Sequence, residues 1–275
     1  MLRSGLELGP GIVDLGRRIG EWSMAIRLFG RLAGLLAILA SAPAAAGAPA
    51  PQPSVAPPAQ GEAGPLARKA RSEAILTAEG VPFIAWLPLV EDEGDYRPRS
   101  AEEIAGRAFA LTLVAYKAST GDHEGANEAY AKVKDRVVLS PTEIDFLRDP
   151  QPSDQDRIHF SWQSEAAYPL FWMLGYVDAL GRPEDQIDPD PMVRLVSGRS
   201  FDDLVAGARL RPQAEMLDAL DLTYRYHWAV RQAGLDGVPP PAKLNPDVLM
   251  ERHKALNWLV RYNEDASWDD VTTDT

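Results

Sequence analysis

From residue 66 onward, apolar and polar positions recur with the 3.6-residue period of amphipathic helices, and no segment sustains the two-residue alternation of a strand. Residues 68–79 read as a short helix stopped by Gly80 and Pro82. Ser100 and Glu103 form a capping-box pair opening a strong helix over 101–119, which Gly121 ends. A helix over 124–137 follows, and Ser140, Pro141 and Glu143 open a short one reaching Arg148. The most apolar stretch, 154–180, places Trp162, Ala166, Leu170, Met173 and Val177 on one side. Pro169 interrupts it, which predicts a kink or two abutting helices, and Gly181 and Pro183 close it. Short helices are expected over 192–196 and 202–206, the second capped by Ser200. Pro212 opens a long helix to Gln232, and Asn245 with Pro246 opens the last. Within 81–99, Pro82, Pro88 and Pro98 argue against a regular element. Phe83, Ile84, Trp86 and Leu87 read there as apolar plugs in an extended segment or short strand. The fold class is mostly α, a single multi-helix globular domain over 66–275.

Residues 1–46 have a different character. From Met24, Arg27 and Arg31 precede an apolar run over 28–40 and small residues offering A-x-A cleavage sites, the three parts of a secretory signal. Thirteen residues including an Arg are too few to cross a ~30 Å hydrocarbon core. Starting at Met24 makes this segment compact, whereas starting at Met1 adds an extension containing Glu7, Asp14 and Glu21, so Met24 is the expected start. Residues 47–65, rich in Ala and Pro, lack the large apolar groups that would offset ordering entropy and read as a disordered linker. The expected destination is the periplasm; without a working signal the chain would stay in the cytoplasm.

Composition narrows the partners. The chain carries 28 basic and 40 acidic side chains, a formal charge of −12. Five Arg and three acids lie in residues 1–60, which leaves 23 basic and 37 acidic side chains, or −14, for the rest. Such a body repels phosphate backbones and anionic lipid, so nucleic acid and membrane surfaces are poor partners, and a basic protein or cationic ligand is favoured. Without cysteine there is no disulfide, thiolate metal site, cysteine nucleophile or lipid anchor on a terminal Cys.

The last helix contains an anomaly. Val248, Leu249, Ala255, Leu256, Leu259 and Val260 form one apolar stripe, and Arg252 falls in its middle. A buried guanidinium without a counter-charge costs several kcal/mol, so Arg252 requires a carboxylate. By helix face, Glu165 and Asp221 are the two acids best placed. Asp221 also has Arg225 four residues on, at the spacing of a helical ion pair. Two readings follow: an ion network that fixes helix register, or a polar pocket among Trp162, Glu165, Trp172, His227, Arg252 and His253 able to bind a ligand or do acid–base work.

The phosphate-loop, dinucleotide, nucleophile-elbow and zinc-protease signatures are missing. "HEGAN" at His123 begins like the last of these but has Asn127 in place of the second histidine. His123, His159, His227 and His253 never fall three or four apart, so the sequence indicates neither a metal nor a cofactor. The tail "WDDVTTDT" is acidic, yet Trp268 within it points to docking, with Asp269 and Asp270 near basic groups such as Arg261. Its aspartates alone define no cation geometry.

Ser161-Trp162 with Glu165, "LDALDLTYRYHWAVR" at 217–231, "ERHKALNWL" at 251–259 and the tail together resemble the bacterial domain-of-unknown-function 4272 family, over residues 68 to 275. The resemblance implies a mostly helical single domain that includes the tail, and it brings no reaction, cofactor or catalytic residue. Pro169 departs from the family's Trp-Glu helix. The function expected is a non-enzymatic exported binding or interaction protein with an acidic surface; the alternative is a hydrolase-like enzyme using Glu165 and a nearby histidine.

Overall fold

Helix caps and buried stripes account for most of the element order. The computed structural model describes residues 64–262 and 267–275; the expected signal segment, the two candidate starts and the linker up to residue 63 lie outside them. Ten α-helices occur among the described residues, with no strand: α1 Pro65–Glu79, α2 Ala101–Thr120, α3 His123–Ala131, α4 Pro141–Arg148, α5 Asp154–Ser161, α6 Gln163–Met173, α7 Asp190–Ser197, α8 Phe201–Ala206, α9 Gln213–Leu235 and α10 Pro246–Leu259. The expected mostly helical single domain is what the chain forms. Both predicted capping boxes are present, on Ser100 with Glu103 and on Ser140 with Glu143, and Asn245 accepts from the amides of Asp247 and Val248.

α1, α9, α10, α6 and α2 pack in that order, each against the next, and α5 and α3 to α4 lie around α2. The largest core joins α2, α6 and α10 through residues such as Leu111, Leu170, Phe171 and Leu256. A smaller core joins α1, α9 and α10 through Leu76, Tyr226, Val230 and Leu249.

Four expectations are corrected. The stretch 154–180 breaks at Trp162, not at Pro169, around which α6 continues. The cause is local: the Ser161 hydroxyl donates to the Ile158 carbonyl and the Ser164 hydroxyl to the Ser161 carbonyl, competing with the main-chain ladder at successive turns. The helix also stops at Met173 instead of running to Leu180. Gly175 takes φ 80°, its amide bonds the Trp172 carbonyl and the Tyr176 amide bonds Phe171, which is a Schellman stop. The third helix ends at Ala131, short of Val137. Finally, Trp86 is no plug: it is 79% exposed, and Leu87 is the buried member of that segment.

The tail docks, partly by the contacts expected, since Asp269 feels the charge of Lys254 on the last helix. Trp268 is buried edge-on to Trp258, with the cations of Arg107 and Lys254 over its ring at 5.0 and 4.8 Å. Asp269 does not meet Arg261; it accepts from the backbone and hydroxyl of Thr142 at 3.1 and 2.7 Å and so caps the start of α4. Arg261 donates to Glu103 and to the Arg97 carbonyl. At the other end of α4, the buried Lys117 ammonium donates to the carbonyls of Phe146, Leu147 and Asp149.

Trp268→Ala is therefore expected to lower stability by about 3–5 kcal/mol, and Asp269→Ala by roughly 1 kcal/mol through the lost cap. Asp270→Ala, at an exposed position, should stay within about 0.5 kcal/mol of wild type. Urea unfolding midpoints of the three variants check the order.

Candidate functional site

The structure brings the sequence-derived candidates together in pairs that face different ways. Arg252 meets Glu165: Nε donates to Oε2 at 3.0 Å, with the side chains 5% and 0% exposed. Its Nη1 donates to the Leu180 and Gly181 carbonyls at 2.9 and 3.4 Å, and Tyr168 lies under the guanidinium at 5.2 Å. Glu165 Oε1 accepts from the Ile187 amide at 2.5 Å. Burial pushes the Glu165 carboxyl above its usual range, against the pull of Arg252 and that amide. Asp221 serves Arg225 instead, bidentate at 2.8 and 2.8 Å with both side chains fully buried. Trp162 forms the junction between α5 and α6. Trp172 packs in the main core with Arg211 stacked on its ring at 4.9 Å.

His227 and His253 meet each other, Nδ1 to Nδ1 at 2.9 Å, one ring donating and the other accepting. Burial first, then the neighbouring His227, holds His253 down to about 3; burial and Arg231 hold His227 down to about 4, so both rings are neutral at physiological pH. His253 has a second role, because it forms part of the floor of a groove.

That groove is a cavity of about 530 Å³ assembled from four parts of the chain. α9 contributes Leu220, Tyr224 and Trp228, spaced four apart on one face. α10 contributes His253 and Asn257, with Val260 at its C-cap; Tyr262, Asp274 and Thr275 close one end; residues 84–91 with Tyr96 form the opposite wall. The wall has no ladder of its own, and cations hold its carbonyls. Lys69 reaches those of Ala85 and Leu87, Arg68 those of Val90 and Glu91, and Arg225 that of Pro88 at 3.5 Å. The tail is fixed through Asn257, which donates to the Thr272 carbonyl at 2.8 Å.

Tyrosines and carboxylates cluster at this end. Tyr262 donates to Asp274 at 3.2 Å. Burial first, then Glu91, pushes the Tyr96 hydroxyl up to about 12. Burial raises Tyr262, with Asp274 and Glu91 adding to it, so both carboxylates act on this one ring. These phenols stay protonated and serve as donors.

A family model described as domain of unknown function (DUF4272) matches residues 68–271. The chain belongs to this family. No curated protein and no solved structure matches it. Of the four segments of this DUF4272 domain that carry the resemblance, 217–231, 251–259 and the tail contribute to the groove, and Ser161-Trp162 with Glu165 lies outside its lining.

Sequence reading missed the burial of two acids: Glu143, which pairs with Arg107, and Glu251. Glu251 is 5% exposed and meets Gln163 of α6 at 3.5 Å, while Gln163 Oε1 has no donor. Burial, with Glu165 and Asp247 adding and Lys254 opposing, pushes Glu251 up to about 7. The only signal in the sequence was its place beside Arg252 at the edge of an apolar stripe. Among the described residues, no group of three or more His, Cys, Asp or Glu is placed to hold a metal ion, and no helix is long and apolar enough to cross a membrane.

Glu165→Gln leaves Arg252 buried without its counter-charge and is expected to cost about 3–5 kcal/mol, whereas the volume-matched double change Glu165→Leu with Arg252→Met should recover most of this. A denaturation double-mutant cycle measures both. Glu251 adds a pH signature. The folded state holds its proton more tightly than the unfolded chain, so the associated stability is full below about pH 4.5 and is lost as pH rises through about 7. Relative to wild type, Glu251→Gln should gain on the order of 3 kcal/mol across that window. A flat difference between the two unfolding curves from pH 4 to 8 would refute the protonated acid.

Proposed function

We propose that this DUF4272 domain is a non-enzymatic ligand-binding protein and that the groove between residues 84–91, α9 and α10 is its binding site. The carrying observation is the aromatic lining of a cavity of about 530 Å³, a size within the roughly 300–1,000 Å³ of small-molecule sites. Tyr96, Tyr224, Trp228 and Tyr262 supply broad apolar faces with polar edges, a few polar groups sit among them, and Trp86 stands 79% exposed at the lip. The hydrolase alternative draws on Glu165, which is fully buried, committed to Arg252 and Ile187, and outside the groove lining. A binding role rests on the groove alone and does not require the export expected from the N-terminal segment.

An aromatic probe such as benzyl alcohol, titrated into the full chain, should shift the indole N–H resonances of Trp86 and Trp228 in nitrogen-edited NMR spectra. Trp228→Ala should weaken that binding by at least ~10-fold, the size of effect expected from losing one well-buried aromatic contact. Trp86→Ala serves as the second variant, since an exposed side chain can be removed with the fold intact. Shifts confined to other regions, or unchanged affinity in both variants, would overturn the assignment.

A further inference from the structure

We infer that the groove selects an organic cation, a positively charged nitrogen carried on an apolar or aromatic body; this rests on the groove being the binding site, as proposed above. The charge of the lining is one-sided. Among the described residues that line it, Glu91 and Asp274 are the acidic side chains and none is Lys or Arg. The imidazole in the floor, His253, is neutral, so it does not offset them.

The nearby cations are turned to other work. Arg68 and Lys69 donate to carbonyls of the wall and pair with Asp218 and Glu73, and Arg225 is held bidentate by Asp221; the charges of Arg68 and Arg225 are felt at Tyr96 and Tyr224. The negative groups, by contrast, are aimed and held. Asp274 accepts from the hydroxyls of Tyr262 and Thr272, both at 3.2 Å, and Glu91 is hydrogen-bonded with Tyr96. A carboxylate accepting one or two hydrogen bonds retains free lone pairs for an ammonium or for the positive surface of a quaternary nitrogen.

The rings complete the cage. Tyr224 tilts against His253 at 46° with centroids 5.8 Å apart, and it feels the charge of Asp274. Stacked or caged cations draw on the negative faces of Trp and Tyr and gain more where water is partly excluded. An anion would instead meet two carboxylates and ring faces of the same sign. At the floor, the His253 Nδ1 is taken by His227.

The test uses three probes on one ring: benzyltrimethylammonium, benzyl alcohol and benzoate, titrated into the full chain. The cation should bind at least ~10-fold more tightly than the alcohol, benzoate more weakly than either, and added salt should erode the preference. The double variant Glu91→Gln with Asp274→Asn, whose side chains lie at the groove mouth, should abolish the preference while still binding benzyl alcohol. Equal or tighter binding of the alcohol by wild type, or a preference that survives the double variant, overturns the cation assignment and leaves the groove standing. Failure of all three probes to shift Trp86 and Trp228 overturns both. A tetralysine peptide binding more tightly than benzyltrimethylammonium overturns the small-ligand form in favour of a basic partner chain.

Discussion

The ion pair between Glu165 and Arg252 fixes how α10 is rotated against α6, and the rest of the domain is arranged around that constraint. Both charges are out of water, where either one alone would be strongly destabilising. Their remaining hydrogen-bonding capacity goes to the carbonyls of Leu180 and Gly181 and the amide of Ile187. Those groups lie in the irregular stretch that follows the Gly175 stop of α6, where no helical ladder supplies their partners. The rotation has a consequence on the other side of α10. His253 follows Arg252 by one residue, about 100° around the axis, so anchoring the guanidinium toward α6 turns the imidazole toward α9 and the groove.

A second regularity follows from the many irregular connections. Buried or half-buried cations serve as clamps on main-chain carbonyls: Lys117 on the end of α4, Arg211 on Trp172, Val177 and Asp178, Arg252 on Leu180 and Gly181, Arg68 on Val90 and Glu91. Buried carbonyls need donors wherever no ladder provides them, and a long cationic side chain supplies two or three at once. With 23 prolines the chain has many backbone positions lacking an N–H, which makes such clamps the practical solution. They also bear on the electrostatics of the groove, since the cations nearest its wall, on α1 and α9, are engaged with carbonyls and carboxylates, while Glu91 and Asp274 line it.

What could be read from the sequence was what is written locally. Ser100, Ser140, Ser200 and Asn245 marked helix starts because a cap needs only its own next three residues. Arg252 announced a buried partner because its position on the stripe left water unavailable, and of the two acids weighed, Glu165 supplies it while Asp221 is satisfied within its own helix. The breaks near Trp162 and Gly175 were legible in principle, from serines three apart and from a glycine with no role inside a helix. The proline between them carried the stronger prior. The groove was not legible, because its parts come from residues more than 170 positions apart and no spacing encodes their meeting. The two histidines, 26 residues apart on different helices, face each other for the same reason.

The contrast between the two sides of α10 is itself an argument about function. Toward α6, charged groups are paired, buried and backed by main-chain bonds, an arrangement that resists rearrangement because any partial opening strands a charge. Toward the groove, the facing elements are an extended segment and a tail, tied down through side-chain hydrogen bonds and not through a ladder. Segments held this way open at lower free energy than packed helices. In the binding reading proposed above, a ligand would meet this less firmly held side, while the ion pair lies on the other. The exposed Trp86 and the faces of Tyr224 and Trp228 that line the groove are the apolar surface this reading puts to use.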